Sequence, residues 1–268
     1  MVESERRITV AAAQMNVTGD LERNRDGILR CTEEAAGVGV DVLVFPECAL
    51  SGYPPMDVPS LDGLVPARID GCVDEIRESA ARHRVWVCLG TAAFRDESWH
   101  NAALLISREG EIAAEYSKVH LCDSDAACFA RGESLPVVSL EGISVGIQIC
   151  FDVRFPESWR VLKAKGAQVV LHLVNASEGD RWGMLWKLPI YNSTIRCRAA
   201  ENAYFVVSAN DSGPMQFAQS MIVDPDGMLL ALGNQEKEEL ISAELALDRV
   251  DGEWFEARRT DLYRLAYE

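Results

Sequence analysis

Short apolar runs alternate along the chain with longer amphipathic stretches. Residues 8–14 read as a first strand. Residues 41–46 are apolar after Asp41, the pattern of a strand covered on both faces, and Val169–Val174 has the same character. Residues 20–36 read as a helix, with Asp20 as its N-cap and Gly37 or Gly39 just past its end. Pro66–His83 is a second helix, leading into a strand at 85–91. A third, at 156–165, has Pro in its first turn and Gly166 beyond its end. A fourth covers 189–201 before a strand at 204–209. Three turn signals sit between paired runs: Glu109-Gly110, Glu141-Gly142 and Pro225-Asp226-Gly227. A late strand falls at 240–245. Helices alternating with buried strands, with hairpins interspersed, predict an α/β fold with a mixed sheet or sheets. No linker, low-complexity stretch or sequence repeat interrupts the pattern, so residues 1–268 read as one domain.

Composition narrows the function classes. The 268 residues are 48% hydrophobic and 25% charged, enough apolar material for a core without disulfide or metal. The formal charge of -16 disfavours nucleic acid and anionic lipid as partners. None of the eight cysteines is spaced C-x-x-C, and the histidines are scattered, which argues against structural zinc. The N-terminus lacks the long apolar stretch of a secretory signal, and no run approaches the roughly 18 residues of a membrane span. Reduced thiols in a cytoplasmic protein are the expectation.

Gly142-Ile143-Ser144-Val145-Gly146 matches the G-x-S-x-G nucleophile elbow, but a turn precedes this serine and a strand follows it. The elbow needs the reverse order. Gly37-Val38-Gly39 precedes a strand instead of opening a helix, so it is no dinucleotide fingerprint.

Three other residues stand at the ends of predicted strands. Cys150 closes an apolar strand six residues before a helix-starting proline, at the usual ligand mouth of an α/β sheet. Positive charge or helix amides nearby would favour its thiolate; the alternative is a buried structural cysteine. Glu47 ends another apolar strand, where a raised pKa would suit acid–base work; the alternative is an exposed loop carboxylate. Lys118 closes a hairpin strand, either facing a developing oxyanion or solvated. His120 is a candidate base for a Cys–His pair or a half-buried structural histidine.

The segments FPECALSGYPP (45–55), YSKVHL (116–121) and GIQICFDVRFPESWRVLKAKGAQVVLHLVNA (146–176) together resemble the nitrilase, or carbon–nitrogen hydrolase, superfamily. RCRAAENAYFVVSAN (196–210) and SMIVDPDG (220–227) extend the resemblance over nearly the whole chain, in the family's order. It implies a four-layer αββα sandwich with two mixed β-sheets, often paired into homodimers. It also implies a Glu–Lys–Cys triad, which falls on Glu47, Lys118 and Cys150, with the backbone N–H of Phe151 completing the oxyanion site. The chemistry implied is hydrolysis of a small amide or carbamoyl substrate through a thioester, without metal or cofactor. C-F-D-V-R-F-P-E after the strand is similar to the amidase-like, omega-amidase-like branch, and true nitrilases usually carry a different tripeptide there. Arg154 and Glu157 are expected to form a structural ion pair or hold the loop.

One segment departs from the family. Many members carry a second Glu after the lysine, where this chain has CDSDAACFARGES with Asp125 near that position. Asp is one methylene shorter, a difference of about 1.5 Å in reach. Either Asp125 supplies the second acid with altered geometry, or the loop is rebuilt and Asp125 is exposed. Tyr53, Trp182 and Met215 are candidate substrate contacts, with Arg181 and Trp186 as further pocket candidates. A non-catalytic binding or scaffold protein that kept the fold is the competing reading, as are N-carbamoyl hydrolysis and nitrile hydrolysis.

Overall fold

The computed structural model describes residues 6–177, 181–250 and 253–262, apart from the side chains of 181, 182, 184, 253 and 254. Two six-stranded mixed sheets stack face to face. The first has the order β12 (Glu239–Ala246), β1 (Arg7–Gln14), β2 (Val42–Val44), β3 (Trp86–Arg95), β4 (Ser98–Ile106) and β5 (Ile112–Ser117). The second has the order β11 (Leu229–Leu232), β10 (Met221–Val223), β9 (Phe205–Asn210), β8 (Val169–Val174), β7 (Ile143–Ile149) and β6 (Val137–Leu140).

Period-two alternation divides the inner strands between two apolar cores. Val10, Ala12, Val42 and Val44 meet Ile147, Ile149, Leu171 and Val207 between the sheets. Their neighbours Ala11, Ala13 and Leu43 face the other way, onto Ile28, Ile69 and Ile76 of helices α1 (Leu21–Gly37) and α2 (Pro66–His83). Trp159, Leu162, Ile195 and Ala199 of α4 (Pro156–Ala164) and α5 (Arg181–Asn202) cover the outer face of the second sheet. The αββα layering therefore explains why these strands have no polar side. Asp20 caps α1, its Oδ1 accepting from the amides of Glu22 and Arg23 at 3.0 Å.

Both sheets repeat one pairing scheme. From β12 to β5 the neighbours run antiparallel, parallel, parallel, antiparallel, antiparallel. From β6 to β11 the order is the same. The scheme sets the site. β5 pairs antiparallel with β4, and β4 with β3, so β5 runs in the direction of β2. Lys118 and Glu47, which follow β5 and β2, therefore emerge at one end of the sheet.

Two elements differ from the sequence expectation. The β3–β4 hairpin turns on Asp96 and Glu97, both at positive φ (47° and 62°), where a glycine signal is absent. The pair nonetheless forms the two-residue turn that right-twisted strands favour. Helix α5 starts at Arg181, eight residues before the expected start, and holds Pro189 inside it. A proline removes one N–H and favours a helix start, yet this helix holds it in its interior.

Candidate active site

Pro46 and Glu47 turn sharply after β2 against Gly90 of β3, where a Cβ would lie 2.1 Å from the Pro46 carbonyl oxygen. Only glycine admits that approach. The Glu47 amide then donates to the carbonyl of Val174 at the end of β8, at 3.3 Å, joining the two sheets. Glu47 is fully buried. Its Oε1 accepts from Lys118 Nζ at 2.6 Å and Asn101 Nδ2 at 2.7 Å, and its Oε2 accepts from the Asn175 amide at 3.0 Å.

Lys118, 1% exposed, bonds Glu47 Oε1 and Asp125 Oδ2, each at 2.6 Å. Asp125 is also fully buried, so the alternative of an exposed Asp125 does not hold. It sits on the short helix α3 (Asp123–Ala126), which carries its carboxylate inward and makes good the missing methylene. Tyr53 Oη donates to its Oδ1 at 2.9 Å, and the amide of Cys122 to its Oδ2 at 3.2 Å.

Charge governs these three groups. Burial lowers the Lys118 pKa, but Glu47, Cys150 and Asp125 outweigh it and hold the ammonium well above its usual range. Burial raises Glu47, with Asp125 adding to the effect and Lys118 opposing it; the net direction is upward. Burial acts on Asp125 the same way, but Lys118 and the Cys122 and Tyr53 donors overcome it, leaving Asp125 below its ordinary value. A carboxyl with a raised pKa suits proton transfer near neutral pH.

Cys150 follows β7 as the first residue of a 3-10 turn, Cys150–Arg154, with φ at +38°. That left-handed conformation is strained for a side-chain-bearing residue. His172 supports it: burial lowers its pKa to about 4, leaving it neutral, and its Nε2 lies 3.4 Å from the Cys150 carbonyl oxygen. The thiol donates to the carbonyl of Asn175 at 3.6 Å, and the Tyr191 hydroxyl points at Sγ from 3.9 Å. Burial and the negative charge of Glu47 push the thiol well above its usual range despite Lys118. A thiol held this way calls for a base if it is to react as a nucleophile.

Lys118, Cys150, Phe151, Tyr53, Asn175 and Tyr191 line one cavity of about 400 Å³. Glu47 stands one hydrogen bond behind its wall. Met215 and Trp186 are not among the lining residues, and Trp186 points to solvent, 74% exposed. The side chains of Arg181 and Trp182 lie outside the described residues. Arg154 does not pair with Glu157 among the described residues; it lines the cavity, 5.9 Å from the Phe151 ring. His120 bonds Asp152 and stacks on Phe155, with centroids 3.9 Å apart, and so is not paired with Cys150. Ser144 of the G-x-S-x-G match lies inside β7, as its context predicts.

Asn175 and Tyr191 escaped the sequence reading. Asn175 is the residue after β8, and the strand-end rule applied to Glu47 and Cys150 would have found it. Tyr191 reaches the cavity from a helix, and no local pattern marks it. Among the described residues no group of three or more His, Cys, Asp and Glu is arranged to hold a metal, and no helix is long and apolar enough to cross a membrane.

Residues 9–252 match the carbon-nitrogen hydrolase family. An (R)-stereoselective amidase from Pseudomonas sp is 33% identical over 87% of this chain and 82% of its own length. The nitrilase and fragile histidine triad fusion protein NitFhit of Caenorhabditis elegans is 29% identical over 96% of this chain, which spans only 62% of the fusion. The crystal structure of an amidase from Nesterenkonia sp. superposes with a TM-score of 0.80 at 26% identity, covering 98% of this chain and 96% of that one.

The buried cation gives a direct stability test. Lys118→Met leaves two buried carboxyls facing each other, and should cost about 3–5 kcal/mol at pH 7 in urea denaturation. Without the ammonium both carboxyls are raised by burial and mutual repulsion. Such groups contribute stability below their unfolded pKa and lose it as pH rises through the folded value. The variant should therefore regain stability from pH 7 towards pH 5. A loss under about 1 kcal/mol with no recovery in acid would contradict the charge arrangement.

Proposed function

The chain belongs to the carbon-nitrogen hydrolase family, and from that footing we propose that it hydrolyses a small linear amide with Cys150 as nucleophile, releasing ammonia. The observation that carries this reading is Lys118, buried between Glu47 and Asp125 and lining the same cavity as Cys150. The amidase relatives support amide over nitrile as the bond class.

In the proposed reaction Glu47 takes the Cys150 proton, and Sγ attacks the carbonyl carbon. The influence of Glu47 on the thiol supports this pairing, because the two charges are near enough to couple. The carbonyl oxygen, now an oxyanion, faces the Lys118 ammonium and the Phe151 N–H, donors matched to its charge. Glu47 returns the proton to the amide nitrogen, the C–N bond breaks, and ammonia leaves a thioester on Cys150. Glu47 then takes a proton from water; the hydroxide adds, the C–S bond breaks and the acid departs, with the proton back on sulfur. Asp125 acts here as the second acid, holding Lys118 in place against Glu47. Tyr53 orients Asp125 and borders the substrate.

The same reading covers the setting. Eight free cysteines support a reducing, cytoplasmic location. The apolar core shared by both sheets supports one domain over 1–268. Leu185, Trp186 and Ile190 are exposed together on α5, and an apolar face of this kind supports a homodimer contact there.

Two measurements test the proposal. Cys150→Ala should lower ammonia release from the best amide substrate by at least about a thousandfold, with the circular dichroism spectrum unchanged. Unchanged turnover would remove Cys150 from the chemistry. In sedimentation, the parent should run at twice the chain mass and Trp186→Glu at the single chain mass; a monomeric parent would refute the dimer.

A further inference from the structure

We propose that Asp152 is a positioning residue, whose buried carboxylate fixes Lys118 and Cys150 relative to one another across the two sheets. The inference rests on the proposed roles of those two residues.

Asp152 is fully buried and does not line the cavity, so it touches no substrate. A carboxylate has about four lone-pair directions, and here each meets a donor. Oδ2 accepts from the Ile149 amide at 2.9 Å and the Tyr116 hydroxyl at 2.6 Å. Oδ1 accepts from the His120 amide at 3.1 Å and faces His120 Nδ1 at 2.8 Å. With a carboxylate opposite, that nitrogen carries the hydrogen.

The sequence positions of these partners give the arrangement its meaning. Ile149 and Asp152 bracket Cys150 and Phe151. Their bond closes the turn over both residues and holds Cys150 in its left-handed conformation. Tyr116 and His120 bracket Lys118 at two residues on either side. Tyr116 lies in β5 and His120 in the bend just after Lys118, and both turn their side chains onto Asp152. One carboxylate thus grips the chain on both sides of the ammonium and spans the turn that carries the thiol. The clamp is itself held. The Asp152 carbonyl accepts from Trp159 Nε1 of α4 at 3.0 Å, His120 stacks on Phe155, and Tyr116 is fully buried in the intersheet core.

Among the described residues no other single group bonds the Lys118 segment to the Cys150 turn. A displacement of about 1 Å between reacting groups costs on the order of a hundredfold in rate. Loss of the clamp should therefore act on kcat, because it removes none of the side chains that line the cavity.

The test uses the full-length enzyme, with kcat expressed per reactive Cys150 titrated with iodoacetamide. Asp152→Asn should lower kcat about a hundredfold and change KM by no more than about twofold. It should also move the midpoint of the iodoacetamide pH profile upward, as Lys118 ceases to face the thiol squarely. Tyr116→Phe removes one donor, keeps the other three, and should lower kcat by about fivefold. The double variant should be no slower than Asp152→Asn, because both changes act through the same carboxylate. A merely structural role would lower the melting temperature and the titratable fraction while leaving kcat per site, KM and the alkylation midpoint as in the parent; that outcome overturns the proposal. If Asp152→Asn fails to fold, Tyr116→Phe decides alone: kcat per site and midpoint both unchanged refutes the clamp. If the parent itself matches Cys150→Ala in ammonia release, the proposed function has failed, and the alkylation midpoints still report whether Asp152 places Lys118 against Cys150.

Discussion

A single ammonium, Lys118, is removed from water and held between two carboxylates that are equally removed from it. Burial of an unpaired charge costs several kcal/mol, so such a trio persists only where the partners are fixed and their other lone pairs filled. Donors from Asn101, Asn175, Tyr53 and Cys122 do this. Two carboxylates against one cation leave an excess of negative charge. Burial first, and then the charge of Glu47, push the Cys150 thiol well above its usual range, which is the setting in which the proposed chemistry gives Glu47 the part of base. Stability and proposed chemistry thus follow from the same electrostatic arrangement.

The fold meets this demand by repeating one pairing scheme in both sheets and setting the carboxyl ends of the strands against one another. Glu47 comes from β2, Lys118 from β5, Cys150 from β7 and Asn175 from β8. The Glu47–Val174 and Asn175–Glu47 hydrogen bonds cross the seam between the sheets. Rigid strands on each side restrict the reacting groups more tightly than loops would.

Much of this was legible in the sequence because it is local. The wholly apolar runs at 42–44 and 169–174, the Asp20 cap, and the proline that opens α4 each carry their own signal. The places of Glu47, Lys118 and Cys150 at strand ends were legible in the apolar pattern, and the resemblance grouped them. What stayed hidden depends on distant contacts. The turn at Asp96 and Glu97 takes positive φ without a glycine, imposed by the strands it joins. The start of α5 was masked by Pro189, whose propensity is overridden within the longer helix. The repeated pairing scheme leaves no sequence repeat, since only the apolar pattern must recur. Whether Asp125 is buried or exposed was undecided until Tyr53, Cys122 and Lys118 were seen around it. Asp152 lay within a quoted motif, yet its four donors come from three residues in two segments, up to 36 residues away.

The most direct measurement is mass spectrometry of the parent and of the Glu47→Gln variant, each acid-quenched during turnover of an amide substrate. In the parent a fraction of the peptide that contains Cys150 should carry an acyl group, adding the mass of the substrate less ammonia, and in the variant, which lacks the proposed base for both half-reactions, that group should be absent. Ammonia release by the parent with the adduct on another residue, or an undiminished yield of the Cys150 adduct and of ammonia in the variant, would contradict the account.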